Sequence, residues 1–346
     1  MDGNLPSDLR PASTSCGLDF WQSMAALIWL SRTLDAQPVL ITVKDDSRMA
    51  ALCCLLRRLP FGGVLASAYP YTALVGDPEL FWQNGDGIAS ALREKRVVRL
   101  EMPFTGEYTP QFPSFDGKSA RFGEAQALAA VRHVLDLTEA EGNAGWLEGQ
   151  LAPNTRWAIR KAERTGSRIR LAAPSDLDAV QVIYAATMRA KSAPVNYGPE
   201  RFRGMLEGLS AAGTARIYIG ELDNHPVGLA AVLDGAASRH LIQLAVLPAG
   251  QAARLGDLLV ATAIRDAITR GQRHFDFMAS NPHDTGLLAY KAKWATRAEP
   301  IRYAVLRVNP FMDLAIDFGR WMNIQRGKLA TYAQYMPVER TRPQSP

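Results

Sequence analysis

The spacing of apolar residues alternates between helical and strand periods, and it predicts a mixed order of elements in the first half of the chain. A polar turn at 44–48 separates two apolar runs and predicts a hairpin. Aromatic residues and prolines without periodicity at 106–117 indicate a loop. The full pattern predicts helices over 20–34 and 78–95, and strands over 39–43, 49–59, 64–68, 97–101 and 131–137. This half is therefore α/β in class.

The second half repeats that order more clearly. Its pattern predicts helices over 146–166, 175–189, 199–209, 252–270, 285–293 and 311–335, and strands over 215–222, 227–233, 239–247, 274–277 and 301–308. Gly271 is typical of a residue that follows a helix C-terminus. We predict two α/β halves, 1–145 and 171–336, a connecting helix at 146–170, and a disordered tail at 337–346.

The composition narrows the class of protein. The 346 residues are 47% hydrophobic and 21% charged, which is typical of soluble globular proteins and enough for two cores. A net charge of +5 permits phosphate-bearing or acidic partners without requiring them. Cys16, Cys53 and Cys54 lack the spacing of a zinc site or a disulfide framework, so we expect no metal. No segment has the pattern of a membrane span or a targeting peptide, so we expect a soluble protein. The sparse cysteines fit a reducing cytoplasm, and we expect a monomer or dimer.

Positive charge is concentrated in the connecting helix, where six basic residues and one acidic residue lie between positions 156 and 170. Arg156, Arg160 and Arg164 recur every four residues and share one face, with Lys161 beside it. Such a face can hold the phosphates of a tRNA acceptor arm, or it can be solvated with its opposite side buried. Both interpretations are open from the sequence.

The order of elements from 175 to 308 resembles the N-acetyltransferase (GNAT) fold. In that superfamily a strand leads into a helix whose N-terminus receives the pyrophosphate of coenzyme A, because free backbone N–H groups and the helix dipole favour an anion. The corresponding stretch, 247–257, lacks the usual glycine pattern. Asp257 also places a negative charge where a phosphate would approach. Both departures disfavour coenzyme A as the donor.

Several motifs together resemble the Fem-type branch of this superfamily, the non-ribosomal peptidyltransferases. They are N-T-R-W-A-I-R-K-A-E-R-T-G at 154–166, F-D-F-M-A-S at 275–280, G-L-L-A-Y-K-A-K-W at 286–294, T-M-R-A-K at 187–191 and Y-P-Y-T-A-L-V-G at 69–76. Met278 stands where that family commonly has glycine. The resemblance implies a tandem pair of GNAT-like domains, with mixed central sheets flanked by helices. It also implies transfer of an aminoacyl group from a charged tRNA to an amine, without a cofactor.

The resemblance implies roles for residues that match the family pattern. Lys291 would stabilise the developing oxyanion or bind the terminal phosphate of the tRNA, unless it is a surface lysine of a helix. Asp276 would act as a base for the incoming amine, or else cap the following turn or pair with a lysine. Tyr290 and Trp294 would stack on an adenine or a side chain, unless they pack on the sheet. Lys293 is a candidate for phosphate binding or a solvated neighbour.

The acceptor would lie between the two halves. Arg189 and Lys191 would hold an acidic or phosphorylated group there, unless they pair with the acids at 200 and 207. The remaining candidates for acceptor binding are Tyr71, Tyr197 and Trp294. The first half has few clustered basic residues, which favours a smaller or less anionic acceptor, such as a small molecule or peptide bearing an amine, over a cell-wall precursor carrying a diphosphate.

The sequence leaves three functions open. The first is an aminoacyl-tRNA-dependent transferase that forms an amide bond in a biosynthetic pathway. The second is an N-acyltransferase of the same fold that uses an acyl-coenzyme A. The third is a non-catalytic module that binds tRNA or a polysaccharide. The absence of a G-x-S-x-G stretch or a Ser-His-Asp set agrees with attack by an amine on an already reactive ester, which needs mainly positioning.

Overall fold

The computed structural model describes residues 24–59, 62–68, 74–105, 122–124, 130–191, 195, 197–316 and 318. The described helices are α1 (Met24–Leu34), α2 (Pro78–Gln83), α3 (Gly85–Glu94), α4 (Trp146–Gln150), α5 (Pro153–Arg164), α6 (Leu177–Ala190), α7 (Pro199–Arg203), α8 (Pro248–Ala252), α9 (Leu255–Thr269) and α10 (Thr285–Ala292). Short 3-10 turns lie at Thr138–Ala140 and Pro174–Asp176, and a π-helical segment lies at Gly204–Leu209.

The described strands are β1 (Ala36–Lys44), β2 (Met49–Arg58), β3 (Val64–Ser67), β4 (Leu74–Gly76), β5 (Val97–Thr105), β6 (Phe122–Glu124), β7 (Ala130–Asp136), β8 (Arg168–Leu171), β9 (Ala215–Leu222), β10 (His225–Asp234), β11 (Ser238–Val246), β12 (His274–Ser280) and β13 (Arg297–Arg307). They form one mixed sheet in the order β1-β2-β3-β5-β13-β7-β12-β11-β10-β9-β8, with β4 beside β2 and β6 beside β13.

The two halves of the chain exchange one strand each. In the first half β3 and β5 are parallel, and in the second half β11 and β12 are parallel. The strand that follows β12 in the sheet is β7, which comes from the first half of the sequence. The strand that follows β5 is β13, which comes from the second half. β7 and β13 then pair with each other, so the sheet is continuous where separate sheets were expected.

Several predicted helices are divided in the structure. The helix expected over 78–95 is two helices, because Asn84 ends α2 and caps it through its backbone N–H. The helix expected over 146–166 is also two, since Pro153 has no N–H and begins α5 at its first position. The helix expected over 252–270 begins at Leu255, after Arg254 takes a left-handed φ of 64°. The hairpin expected at the start of the chain is present as β1 and β2.

Helices cover both faces of the second half of the sheet. Side chains alternate along β10, so Ala230 and Val232 pack on the core that contains α9, while Leu229, Ala231 and Leu233 pack on the opposite core with α1 and α6. A third core fills the first half, and it includes residues of β13. The strand exchange therefore places β13 side chains in a core that otherwise belongs to the first half.

Some predictions fall wholly or partly outside the described residues. These are the loop at 106–117, Tyr71, most of the helix at 311–335, and the tail at 337–346. The boundaries proposed for the two halves and the connecting helix remain predictions. Among the described residues, no helix is both long and apolar enough to cross a membrane.

Candidate functional site

Two bulges open the sheet between β11 and β12. The two strands pair only at 238–240 with 274–276. Just beyond this paired segment, each strand has a register shift against its other neighbour. β11 shifts against β10, opposite Ala231 and Val232, and β12 shifts against β7, between Asp276 and Ala279. Met278 takes a left-handed φ of 62° in the second bulge. That conformation suits glycine, which explains why a glycine would be favoured at this position.

A cavity of about 320 Å³ lies at this opening, between the two halves of the chain. Both bulged strands contribute to its wall. A larger cavity of about 920 Å³ is lined only by residues of the first half, away from the bulges. We assign the site to the smaller cavity because charged and aromatic groups from both halves converge there. It is lined by Ser67, Ala68, Glu101, Pro103, Tyr197, Arg201, Ile242, Met278, Ala279 and Tyr303.

Asp276 is fully buried and holds the bulge of β12 that borders this cavity. One carboxylate oxygen accepts a hydrogen bond of 2.7 Å from the N–H of Met278, and the other lies 3.2 Å from Nδ1 of His240 and 3.1 Å from Nε of Arg132. Burial acts to raise the pKa of Asp276, but the hydrogen bond and charge of His240, the charge of Arg132 and the Met278 amide together hold it below its usual value. These contacts are those of a carboxylate that caps the bulge, and its role as a base remains a prediction.

Lys291 is buried against the same bulge, with 8% of its surface exposed. Its Nζ donates to the carbonyl oxygens of Phe277 and Met278, the latter at 2.9 Å. Burial lowers its pKa to about 8, although Asp276 and Asp284 act in the opposite direction. An ammonium has three N–H donors, and these two contacts use two of them. The alternative of a solvated surface lysine is therefore excluded for this side chain.

The N-terminus of α9 is already occupied by side chains of the chain itself. Asp257 lies in its first turn, is largely buried and forms an ion pair with Lys293. The Lys293 ammonium also lies 4.2 Å from the ring centre of Tyr290 and 5.3 Å from that of Trp294. The Tyr290 hydroxyl donates to the carbonyl oxygen of Gly256 at 3.4 Å, and burial raises its pKa above the usual value. A phosphate approaching this helix end would meet a carboxylate.

Arg201 lies in the wall of the cavity, and only 2% of its surface is exposed. Its guanidinium carbon lies over two rings, 3.6 Å from the ring centre of Tyr197 and 4.7 Å from that of Trp29. Its Nη1 atom is buried and has no hydrogen-bond partner among the described residues. Tyr197 in turn stacks on Tyr184 at 5.5 Å. This position stands out because a buried cation is normally paired with an anion.

The basic residues of α5 lie on an exposed face beside a groove of about 650 Å³. Trp157 is 51% exposed, and Lys161 and Arg254 lie 5.6 and 6.0 Å from its ring centre. The opposite face of α5 is buried against α9. The residues that line this groove are Pro153, Arg156, Trp157, Arg160, Glu163 and Arg164.

The other predicted site residues are dispersed. Arg189 and Lys191 are exposed at the end of α6 and line none of the cavities described above, and no ion pair joins them to the acids at 200 and 207 among the described residues. Trp294 is buried in the core that contains α9. In the described part of the chain, no three His, Cys, Asp or Glu side chains are close enough together to hold a metal ion.

The cavity also contains residues that the sequence did not indicate. Glu101, Arg201 and Tyr303 come from β5, α7 and β13, which are far apart in the chain. Glu101 forms an ion pair with the buried Arg99 at 3.3 Å. The sequence signal that could have indicated Glu101 is its acidic side chain within the strand predicted at 97–101. A charged residue within a buried strand needs a partner or a function.

Comparison with known proteins shows what the chain is similar to. Residues 152–292 match the family model of an acetyltransferase (GNAT) domain. Among solved structures, FemX superposes with a TM-score of 0.64 at 11% identity, over 86% of this chain and 94% of FemX. No curated protein matches the chain by sequence.

Two further solved structures share the fold over most of their length. The C-terminal domain of a putative lysylphosphatidylglycerol synthetase from Agrobacterium fabrum has a TM-score of 0.55 at 15% identity, over 86% of this chain and 92% of that domain. A tandem GNAT protein from the clavulanic acid biosynthesis pathway has a TM-score of 0.53 at 13% identity, over 87% of this chain and 91% of that protein.

Residues 152–292 thus match the model of an acetyltransferase (GNAT) domain, and the chain as a whole has the α/β fold of a tandem GNAT protein. The predicted resemblance to the Fem-type branch is confirmed at the level of the fold, because the superposition covers nearly the whole of FemX.

Proposed function

We propose that this protein transfers an aminoacyl group from a charged tRNA to an amine, and that the reaction takes place at the opening between β11 and β12. The observation that carries the proposal is the ion pair between Asp257 and Lys293 at the N-terminus of α9. A coenzyme A pyrophosphate would have to displace this pair and accept a carboxylate as its neighbour. The ester of an aminoacyl-tRNA can react without displacing this ion pair.

In the proposed reaction the neutral amine of the acceptor attacks the ester carbonyl carbon. A C–N bond forms, the C–O bond to the tRNA ribose breaks, and the amine proton passes to the ribose oxygen that leaves. The enzyme has to position the two reactants and stabilise the oxyanion. The third N–H donor of Lys291, beside the Met278 carbonyl that borders the cavity, is the group we assign to the oxyanion.

The basic face of α5 is the part of the surface that we assign to the tRNA. Arg156, Arg160 and Arg164 supply charge for phosphates, and the exposed Trp157 ring supplies a face on which a base can stack. α5 packs directly on α9, whose first turn borders Tyr290.

An acyl-coenzyme A N-acyltransferase is the second candidate. The observation in its favour is the match of residues 152–292 to the model of an acetyltransferase domain. In support of the first candidate, FemX and the lysylphosphatidylglycerol synthetase domain superpose with higher TM-scores than the tandem GNAT protein of clavulanic acid biosynthesis. A non-catalytic module that binds tRNA or a polysaccharide is the third, and the buried Lys291 beside the bulge argues against it.

The donor can be tested directly. The protein is incubated with a mixture of radiolabelled aminoacyl-tRNAs, and separately with labelled acetyl-coenzyme A, each with and without a pool of amine acceptors. We expect the amines to accelerate loss of label from a tRNA and to yield a labelled product. Turnover of the coenzyme A thioester alone would replace this proposal with the second candidate.

A further inference from the structure

From the geometry of the cavity between the halves we infer that the acceptor is an amine that also bears a carboxylate, of amino-acid to dipeptide size. The inference deepens the proposed function, and it rests on that function in so far as the ligand is called an acceptor. The evidence is the presence of Arg201 and Glu101 in the wall of one cavity, and the cavity volume of about 320 Å³.

Arg201 is a buried cation that has no carboxylate partner in the described part of the chain. Among the described residues it forms contacts with two aromatic rings and no ion pair, and its Nη1 lacks a hydrogen-bond partner. Two other buried arginines are paired, Arg99 with Asp313 and Glu101, and Arg239 with Asp234 and Asp266. Because a buried donor without an acceptor is costly, an anionic ligand that supplies the missing acceptor is strongly favoured.

The rings of Tyr197 and Trp29 keep the guanidinium plane in place. The two ring centres lie 3.6 and 4.7 Å from the central carbon, and Trp29 also donates from its Nε1 to the carbonyl oxygen of Arg201 at 3.0 Å. A guanidinium fixed in this way presents a planar pair of donors, which fits the two oxygens of a carboxylate. The site is therefore organised before the ligand arrives.

Glu101 is the second charged group in the cavity wall, and it indicates that the ligand also carries a positive charge. It lines the same cavity and comes from the other half of the chain. Its partner Arg99 also pairs with Asp313, which in turn pairs with Arg307. A carboxylate at this position attracts the ammonium form of an amine and opposes the second negative charge of a phosphate. One arginine and one glutamate in the wall of one cavity match an amino acid in its zwitterionic form, whereas a diphosphate would meet too few cations.

The experiment uses the full-length chain without any donor. Binding of glycine, β-alanine, 4-aminobutyrate and alanyl-alanine is measured by ligand-observed NMR titration, and each acid is compared with its carboxamide. Ethanolamine phosphate is included to separate a carboxylate from a phosphate. We expect at least one acid to bind about 10²-fold more tightly than its amide and than ethanolamine phosphate. Equal binding of every acid and its amide, or tighter binding of ethanolamine phosphate, would overturn the inference.

Two variants locate the effect. Arg201→Gln is expected to reduce binding of the preferred acid to the level of its amide. Arg201→Lys keeps the cation but removes the paired donors, and it is expected to bind the acid about tenfold more weakly with amide binding unchanged. If Arg201→Gln does not fold, Arg201→Lys alone tests the role of Arg201. Unchanged acid binding in a folded variant would show that Arg201 is not the binding residue.

These measurements do not depend on the donor. Acid-selective binding without transfer from either donor would contradict the proposed function and leave the ligand class intact. Transfer from aminoacyl-tRNA to acids and amides alike would support the proposed function and overturn the ligand class.

Discussion

Lys291 illustrates how a single side chain joins the sheet to the site. Its side chain is buried, and its ammonium holds two carbonyl groups that the β12 bulge turns out of the ladder. The bulge needs this support because Phe277 and Met278 lie where the register shifts. The same ammonium contacts the carbonyl oxygen of Met278, and Met278 lines the cavity. One residue thus stabilises the strained backbone and supplies the charge that we assign to the oxyanion.

Replacing Lys291 separates these two roles. We expect Lys291→Met to lower kcat/KM for aminoacyl transfer by about 10²–10³, because the donor to the oxyanion is removed. We also expect a decrease of about 1–3 kcal/mol in the free energy of unfolding for each carbonyl left without a donor. Urea unfolding measures the second effect, and rates are compared at a temperature where both proteins are folded. Lys95→Met, at an exposed position, is the control; a Lys291→Met enzyme as fast as wild type would remove Lys291 from the mechanism.

The pH dependence follows from the lowered pKa of Lys291. Its folded pKa is about 8 against an ordinary value of 10.5, so between these values the unfolded chain binds more protons than the folded chain. The free energy of unfolding is therefore expected to rise with pH from about 8 to 10.5 relative to Lys291→Met, which lacks this titration. Transfer to an acceptor that is already neutral should decline above about pH 8, as the ammonium is deprotonated. A pH-independent difference between the two proteins would contradict both expectations.

At the scale of elements, α5 shows how one helix can serve packing and binding at once. Pro153 sets its start, and the four-residue spacing puts Ala158 and Ala162 on the buried face, which packs against α9. The same spacing puts Arg160 and Arg164 on the opposite, exposed face. No carboxylate is paired with either arginine among the described residues. Both guanidinium groups are therefore available to an anionic partner.

The double variant Arg160→Ala and Arg164→Ala tests that face. Each phosphate that is no longer bound should reduce the salt slope of tRNA binding by about 0.7–0.9, and affinity at physiological salt should fall roughly 10–30-fold. Filter binding of tRNA across a salt series measures both quantities. The matched control is Arg93→Ala with Lys95→Ala, which removes the same charge from the exposed end of α3. Equal weakening in the two double variants would indicate only a general effect of net charge.

For the whole molecule, the exchange of β7 and β13 makes the two halves depend on each other. Ala304 and Leu306 of β13 are fully buried in the core of the first half, while Val134 and Leu135 of β7 are buried in the second part of the sheet. Neither half can complete its sheet from its own contiguous sequence. The cavity with Glu101 and Arg201 is lined by residues of both halves, including Tyr303 of β13.

We therefore expect the described halves to unfold together. Ala304→Glu would bury an unpaired charge and lower the free energy of unfolding by about 3–5 kcal/mol. Hydrogen exchange should show that amides of β2 and β10 lose the same amount of protection, although β10 is remote from the change. Ala91→Glu, on the exposed side of α3, is the control and should leave both strands protected. Reduced protection in β2 alone would show that the halves are energetically independent.

The elements themselves could be predicted from the sequence because their signals are local. Apolar alternation located β9, β10 and β11 to within a residue or two, and the polar turn at 44–48 located the first hairpin. The four-residue spacing of arginines predicted the exposed face of α5. The motif around Asp276 and Lys291 indicated the segment that borders the cavity, and through the family resemblance it indicated the fold.

Strand partners and burial depended on contacts between distant parts of the chain. About 140 residues separate β7 from β12 and about 200 separate β5 from β13, so no local pattern could report that these strands pair. The same distance hid Arg201 and Glu101, whose charges lie in one cavity only after the halves have packed. The sequence also left open that Lys291 is a surface lysine, because burial is a property of the neighbours that surround a side chain. Local propensity thus determined the elements, and long-range packing decided which of their polar side chains became a site.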